Sequence, residues 1–371
     1  MTQPRTLVVT NDLPPRPGGI QTYVHQMLLR QPAGSVVVLA SQWRGDLAWD
    51  AQQPYEIHRH PGQVLLPTPR VLTHAVQLAA DCTSAWFGAM APLGLLAPAL
   101  RQRTRITRAV ASTHGHEVGW ARAPGTRQLL RRTAGGLDAV TVLGSWTGEQ
   151  LAGVLRGTVV HRLPGGVDTT AYAPDPAGRA EVRRSLGIGG DQPVVVCVSR
   201  LMPRKGQDVL IEALPKIREQ VPGTVLLLVG GGPSRPRLQR LAGEGVIMTG
   251  SVPADTLAAH YAAGDVFAMP CRSRLAGIDV EGLGLVYLEA SAVGLPVVAG
   301  RSGGAPEAVR EGVTGHTVLG TSRAELVGRI VELLRDPVRA ARMGAAGRAW
   351  VTREWEWDVL APRLTALLNQ P

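Results

Sequence analysis

The sequence predicts an α/β protein built from two doubly wound parallel-sheet domains, and three observations lead there. The apolar runs are short, β-branched and separated by helical patterns, as when parallel strands buried on both faces alternate with crossover helices. That pattern restarts after Pro164-Gly165-Gly166-Val167-Asp168 and Pro174-Asp175-Pro176, a Pro/Gly-rich stretch that reads as a linker. A length of 371 residues also allows two full cores, at roughly 150 residues per domain.

In the first half, strands are expected at 7–9, 36–39, 85–87, 109–111, 139–142 and 159–160. In the second they are expected at 194–198, 225–229, 246–248, 266–269 and 296–299. From Pro337 onward the chain reads as helical, with Trp350, Trp355 and Trp357 forming an aromatic cluster. The resulting division is 1–168, 169–353 and a terminal helix over 354–371. Residues 82–100 carry no charge and just reach the length of a membrane span. Gly88, Pro92, Gly94 and Pro98 interrupt them, so a strand followed by a buried helix is the expectation. The short apolar run at the N-terminus does not suit a signal peptide.

The three cysteines, Cys82, Cys197 and Cys271, are widely spaced and form no CxxC pair, which argues against a disulfide framework or a zinc site. A reducing cytoplasm is the expected compartment. The net charge of +10 is uneven: residues 1–170 hold 16 Arg and no Lys against 9 acids, a balance of +7. An anionic partner is therefore expected on the first half. A nucleic acid is not the expected partner, since the basic residues lack interleaved aromatics and no binding motif occurs.

In parallel sheets ligands sit beyond the carboxyl ends of the strands, so the residues just after each strand carry the chemistry. After the first strand, Gly18-Gly19 opens a helix, where backbone amides and the helix dipole favour an anion. After the strand at 194–198, Arg200 and Lys205 stand five residues apart, and two such cations could neutralise a diphosphate. Gly230-Gly231-Gly232 follows another strand but fails as a dinucleotide fingerprint, since position 235 is Arg and Pro233 interrupts the helix entry. The richest stretch runs from Asp279 to Glu289. Glu281 lies in a loop where it can accept from hydroxyls, Gly284 and Leu285 offer free helix N-terminal amides, and Glu289 can reach a second diol such as a ribose. Ser302-Gly303-Gly304 repeats the glycine-then-helix pattern. His114-Gly115-His116-Glu117 comes after the strand at 109–111; without a third ligand cluster it is expected to face ligand rather than bind a metal.

Together Gly18-Gly19, Arg200 with Lys205, Glu281 with Glu289, and Gly303-Gly304 resemble the retaining glycosyltransferases of family 4, over nearly the whole chain. That resemblance implies the GT-B architecture, two Rossmann-like domains facing a deep cleft, the first binding acceptor and the second the nucleotide sugar. The stretches 9–16, 112–120 and 203–208 resemble the actinobacterial GDP-mannose-dependent phosphatidylinositol mannoside mannosyltransferases more closely.

By that resemblance Gly19, Arg200 and Lys205 would hold the diphosphate, Glu281 the hexose and Glu289 the ribose. Val252 would lie by the base, His114 would line the sugar site, and helix 357–368 would cross back to the first domain. The implied catalytic set is His114, Arg200, Lys205 and Glu281. No cofactor or metal is implied; GDP-mannose is the donor, and a phosphatidylinositol mannoside the acceptor. Leu275 and Ala276 depart from the pattern, in a loop expected to be richer in glycine. A lipid acceptor implies peripheral binding at the inner face of the plasma membrane, for which Arg127, Arg131 and Arg132, flanked by Leu129, Leu130 and Leu137, are the candidate surface. A family 4 enzyme with another donor or acceptor, and a non-catalytic membrane- or nucleic-acid-binding protein, are the alternatives.

Overall fold

The computed structural model describes residues 4–370. The chain forms two compact units: Gly166–Glu356 is one, and the residues before it together with the C-terminal helix are the other.

The first unit is built on strands β1 (Arg5–Thr10), β2 (Val36–Ser41), β3 (Glu56–His60), β4 (Cys82–Phe87), β5 (Arg108–Ser112), β6 (Ala139–Val142) and β7 (Val159–Arg162). They pair in parallel in the order β3-β2-β1-β4-β5-β6-β7. The order reverses between β1 and β4, and their carboxyl ends open a crevice at that point. Helix Trp357–Leu368 belongs to this unit: Leu360, Leu364 and Leu368 bury against Val8, Tyr23, Val38 and Trp86.

The second unit carries β8 (Val194–Val198), β9 (Val225–Val229), β10 (Val246–Gly250), β11 (Val266–Met269), β12 (Val297–Gly300) and β13 (Gly315–Val318). Again all pairs are parallel, in the order β10-β9-β8-β11-β12-β13, with the reversal between β8 and β11. β8, β9, β11 and β12 are wholly buried, as their Val-rich composition requires.

Two strands carry no apolar run and were not expected from local pattern. β3, Glu-Ile-His-Arg-His, is an edge strand with no fully buried side chain. β13, Gly-His-Thr-Val, is the opposite edge of the other sheet; a Cβ at Gly315 would lie 2.0 Å from the Val297 carbonyl oxygen. The tryptophan cluster also divides. Trp350 and Trp355 pack edge to face at 5.4 Å in the second unit's core, whereas Trp357 packs on Tyr23 at 6.0 Å in the first. Residues 82–100 form β4, a 3-10 turn at Leu93–Leu96 and the start of helix Ala97–Arg103. Among the described residues no helix is long and apolar enough to cross a membrane.

Candidate active site

In the second unit the loops after β8 and β11 meet at the sheet's switch point. Gly206 makes this possible: it takes φ +79°, and a Cβ there would stand 2.2 Å from the Pro270 carbonyl oxygen. Gln207 ties the β8 loop down by donating to Ser199 Oγ (2.8 Å) and to the Arg200 carbonyl (3.1 Å). The result brings together side chains 76 positions apart: Lys205 Nζ lies 2.6 Å from Glu281 Oε2, and both residues are buried. Arg204 adds a second cation, 3.3 Å from Asp279 Oδ1 and 3.8 Å from Glu281 Oε2. Arg200, by contrast, is exposed, and its guanidinium has no ion-pair partner among the described residues.

Glycines hold Glu281 from the other side. Gly303 has φ +55° and Gly304 donates its N–H to the Glu281 carbonyl at 3.0 Å; Cβ atoms at these positions would fall 2.1 Å from the Glu281 oxygen and 2.2 Å from the Gly282 oxygen. This glycine pair therefore serves close loop packing. The chain then makes a four-residue 3-10 turn, Ala305–Ala308, where a helix was expected to follow the glycines. Gly230 and Gly232 answer to the same constraint, pressed onto the carbonyls of Ser199 and Leu201.

Gly284, at φ +83°, caps helix Leu285–Val293, whose first amides lack intrahelical acceptors. Leu285 is half-buried. Glu289 sits on the same helix, its Oε2 accepting from the Tyr261 hydroxyl at 2.5 Å. Burial raises the Glu289 carboxyl above its ordinary range, opposed by the Tyr261 bond and the Lys205 charge. Val252 comes just after β10, half-buried against this unit's core. Leu275 and Ala276, where glycine was expected, adopt left-handed φ values of 50° and 51°. Their short turn is closed by the Arg274 N–H donating to the Asp279 carbonyl at 2.9 Å.

In the first unit the switch point gathers a different set. Helix Gly19–Leu28 begins at Gly19, around whose Cβ position the space is open. His114 Nε2 lies 2.6 Å from the Gly88 carbonyl oxygen, and its ring packs edge-on to Tyr23 at 5.1 Å. A carbonyl can only accept, so Nε2 carries the proton and Nδ1 keeps its lone pair. Burial holds this imidazole below its ordinary value of 6.5, that is, neutral. The backbone N–H of His114 donates to Glu117 Oε2 at 3.0 Å, and Glu117 is fully buried. Asp12 stands in the same electrostatic cluster, its carboxyl raised chiefly by burial and lowered by His114, Arg16 and His116.

Glu117 was noted only as part of the His114-Gly115-His116-Glu117 motif, and Asp12, Arg204 and Tyr261 were not singled out by sequence pattern. For Asp12 the signal was present: it lies just past the β1 run at the switch point. Tyr261 lies inside a helix, with nothing local to set it apart.

Arg127, Arg131 and Arg132 are exposed on helix Pro124–Ala134. The expected apolar flank is not on the surface: Leu130 and Leu137 are buried in the first unit's core and Leu129 is half-buried. Arg131 also donates to the Gly153 carbonyl at 3.3 Å. Among the described residues no three His, Cys, Asp or Glu side chains group to hold a metal ion.

Residues 178–350 match the family described as glycosyl transferases group 1. The chain is 49% identical over 377 residues, 98% of each protein, to the GDP-mannose-dependent alpha-(1-6)-phosphatidylinositol monomannoside mannosyltransferase of Mycolicibacterium smegmatis. It is 43% identical over 374 residues, again 98% of each, to the GDP-mannose-dependent monoacylated alpha-(1-6)-phosphatidylinositol monomannoside mannosyltransferase of Corynebacterium glutamicum. Among solved structures, Anabaena Alr3699/HepE in complex with UDP superposes with a TM-score of 0.81 at 20% identity, covering 98% of this chain and 99% of that one. The two parallel sheets and this likeness define the GT-B glycosyltransferase fold. Within that class, the chain belongs to the family of GDP-mannose-dependent phosphatidylinositol monomannoside mannosyltransferases.

Proposed function

We propose that this enzyme transfers mannose from GDP-mannose to phosphatidylinositol monomannoside, with retention at the anomeric carbon and without a metal ion. The observation that carries this reading is 49% identity along 98% of the chain to an enzyme named for that donor and acceptor. The site chemistry agrees with it. Arg200 and Lys205 supply the positive charge a leaving diphosphate needs, and the free amides at Gly284 and Leu285 add donors. Glu281 accepts from mannose hydroxyls and Glu289 from the ribose, with Val252 beside the base. In the first unit Gly19 offers an open helix N-terminus to an anion, and the bare Nδ1 of His114 accepts from a sugar hydroxyl.

Transfer with retention then runs on one face of the sugar. The bond from the anomeric carbon to the phosphate oxygen breaks, and the acceptor hydroxyl oxygen forms the new bond from the same side. Its proton passes to the departing phosphate oxygen while Arg200 and Lys205 absorb the developing charge. The acceptor is a membrane lipid, so the protein works peripherally, on the cytoplasmic face. There the first unit's Arg127, Arg131 and Arg132 meet anionic headgroups by charge alone, the neighbouring leucines being turned inward.

A donor and acceptor screen tests this: GDP-mannose, GDP-glucose, UDP-glucose and UDP-N-acetylglucosamine, each with phosphatidylinositol or its monomannoside, and product configuration read by NMR. An α-linked dimannoside formed from GDP-mannose alone is expected. Faster transfer from a UDP-sugar, or a β-linked product, would overturn the proposal.

A further inference from the structure

The hydroxyl of Tyr261 is a buried group that the transfer mechanism does not use. The residue lies on helix Leu257–Ala262 and is fully buried, its ring edge-on to Tyr172 at 5.9 Å and tilted against Phe267 at 5.6 Å. So enclosed, the ring cannot swing its hydroxyl to water, and a buried O–H without an acceptor is costly. Its acceptor is Glu289 Oε2 at 2.5 Å. Among the described residues Glu289 accepts no other hydrogen bond, so Oε1 remains for a ligand.

We propose that Tyr261 is a positioning residue for the nucleotide ribose: by holding one carboxylate oxygen of Glu289 it presents the other to the diol. This rests on the reading that Glu289 holds the ribose. The bond does two things at once. It selects a single rotamer of a side chain that would otherwise lose several on binding ligand, and it favours the ionised carboxylate that a diol needs as acceptor.

The surrounding charges fit this role. Burial pushes the Glu289 carboxyl up, while the Tyr261 bond and the Lys205 ammonium, from the turn after β8, pull it down. Tyr172, from the segment before helix Pro176–Ser185, has its phenol raised chiefly by burial and further by the Glu289 and Asp168 charges, so it stays neutral. Arg348, on helix Pro337–Glu354, which packs against helix Leu285–Val293, directs its guanidinium to the carbonyls of Thr169, Tyr172 and Ala292. Tyr261 is thus the one neutral donor bonded to Glu289 among the described residues.

Diol binding requires ionised Glu289 and fades as pH falls through its raised value. Removing the Tyr261 hydroxyl removes a lowering influence, so the acid limb of nucleotide binding moves to higher pH. The experiment is calorimetry of GDP and of 2′,3′-dideoxy-GDP binding, from acid to neutral pH, with the parent, Tyr261→Phe and Glu289→Ala. Tyr261→Phe keeps the buried ring; circular dichroism and the thermal midpoint check the fold.

Expected for Tyr261→Phe are about tenfold weaker GDP binding at neutral pH, the scale of one hydrogen bond to a charged group, an acid limb shifted upward, and reduced preference for GDP over the dideoxy analogue. A merely structural role would weaken both nucleotides equally and leave the limb in place; that outcome overturns the proposal. The ribose reading itself fails separately, if Glu289→Ala keeps the parent's preference for GDP over its dideoxy analogue.

Discussion

Lys205 Nζ and Glu281 Oε2 lie 2.6 Å apart, so the cation assigned to the diphosphate and the carboxylate assigned to the sugar form one buried ion pair. Lys205 loses its ion-pair partner when Glu281 is removed, whereas Glu281 keeps Arg204 at 3.8 Å when Lys205 is removed. Arg200 is different, being exposed and free of any ion pair among the described residues.

That contrast gives the first prediction. Lys205→Ala and Arg200→Ala should each lower turnover by about two to three powers of ten, the scale of removing one charge-stabilising donor. Only Lys205→Ala should also lower the thermal midpoint, by up to about 3 kcal/mol of stability, because it leaves the buried Glu281 carboxylate with only the more distant Arg204, at 3.8 Å. The double variant Lys205→Ala/Glu281→Ala should fall short of the summed losses, the signature of a shared contact. Additive losses, or near-normal turnover of either single variant with saturating donor, would contradict the assignment. Bare GDP should bind Glu281→Ala at least as well as the parent, since Lys205 is released.

Metal dependence gives the second. If Arg200 and Lys205 neutralise the diphosphate as proposed, activity should survive excess EDTA. Loss on chelation that Mg²⁺ or Mn²⁺ restores would count decisively against a metal-free mechanism.

The third concerns pH. His114 is held below its ordinary 6.5 by burial and donates from Nε2 to Gly88, so Nδ1 is the acceptor at neutral pH. Protonation of Nδ1 removes that acceptor, and the depressed value places the event on the acid side of 6.5. Transfer in the parent should therefore stay level as pH falls through 6.5 and decline only below it. A limb centred at or above 6.5, absent from His114→Gln, would show the imidazole to be easier to protonate than its surroundings imply.

The fourth is membrane attachment. Each exposed arginine near an anionic surface contributes about 1 kcal/mol, and the interaction is screened over a Debye length of roughly 8–10 Å. Flotation with phosphatidylinositol-containing liposomes should weaken with salt and weaken further in the triple variant R127S/R131S/R132S. Because Leu130 and Leu137 are buried, neutral vesicles should not retain the protein. Equal flotation of parent and variant at low salt would return this helix to an ordinary solvated surface.

The sequence by itself determined the two doubly wound units. Strands buried on both faces must be apolar along their whole length, so Val194–Val198 or Val225–Val229 announce themselves without reference to the rest of the chain. Strand carboxyl ends were equally legible as places to look, which marks Arg200, Lys205 and His114 as candidates, while Glu281 was marked by the glycines and the second glutamate around it. Tertiary structure decided what local pattern does not encode. β3 and β13 are strands because a neighbouring strand supplies hydrogen-bond partners, not because their residues demand it. Gly303 and Gly304 are glycines because another loop's carbonyls occupy the space of a side chain, a constraint that exists only once the loops meet. Trp355 and Trp357, two residues apart, enter different cores because the chain passes between units there. The Lys205–Glu281 and Tyr261–Glu289 contacts belong to the same class. Hydrogen bonds and ion pairs act over a few ångströms of space, and only folding turns a separation of 76 or 28 residues into 2.6 or 2.5 Å.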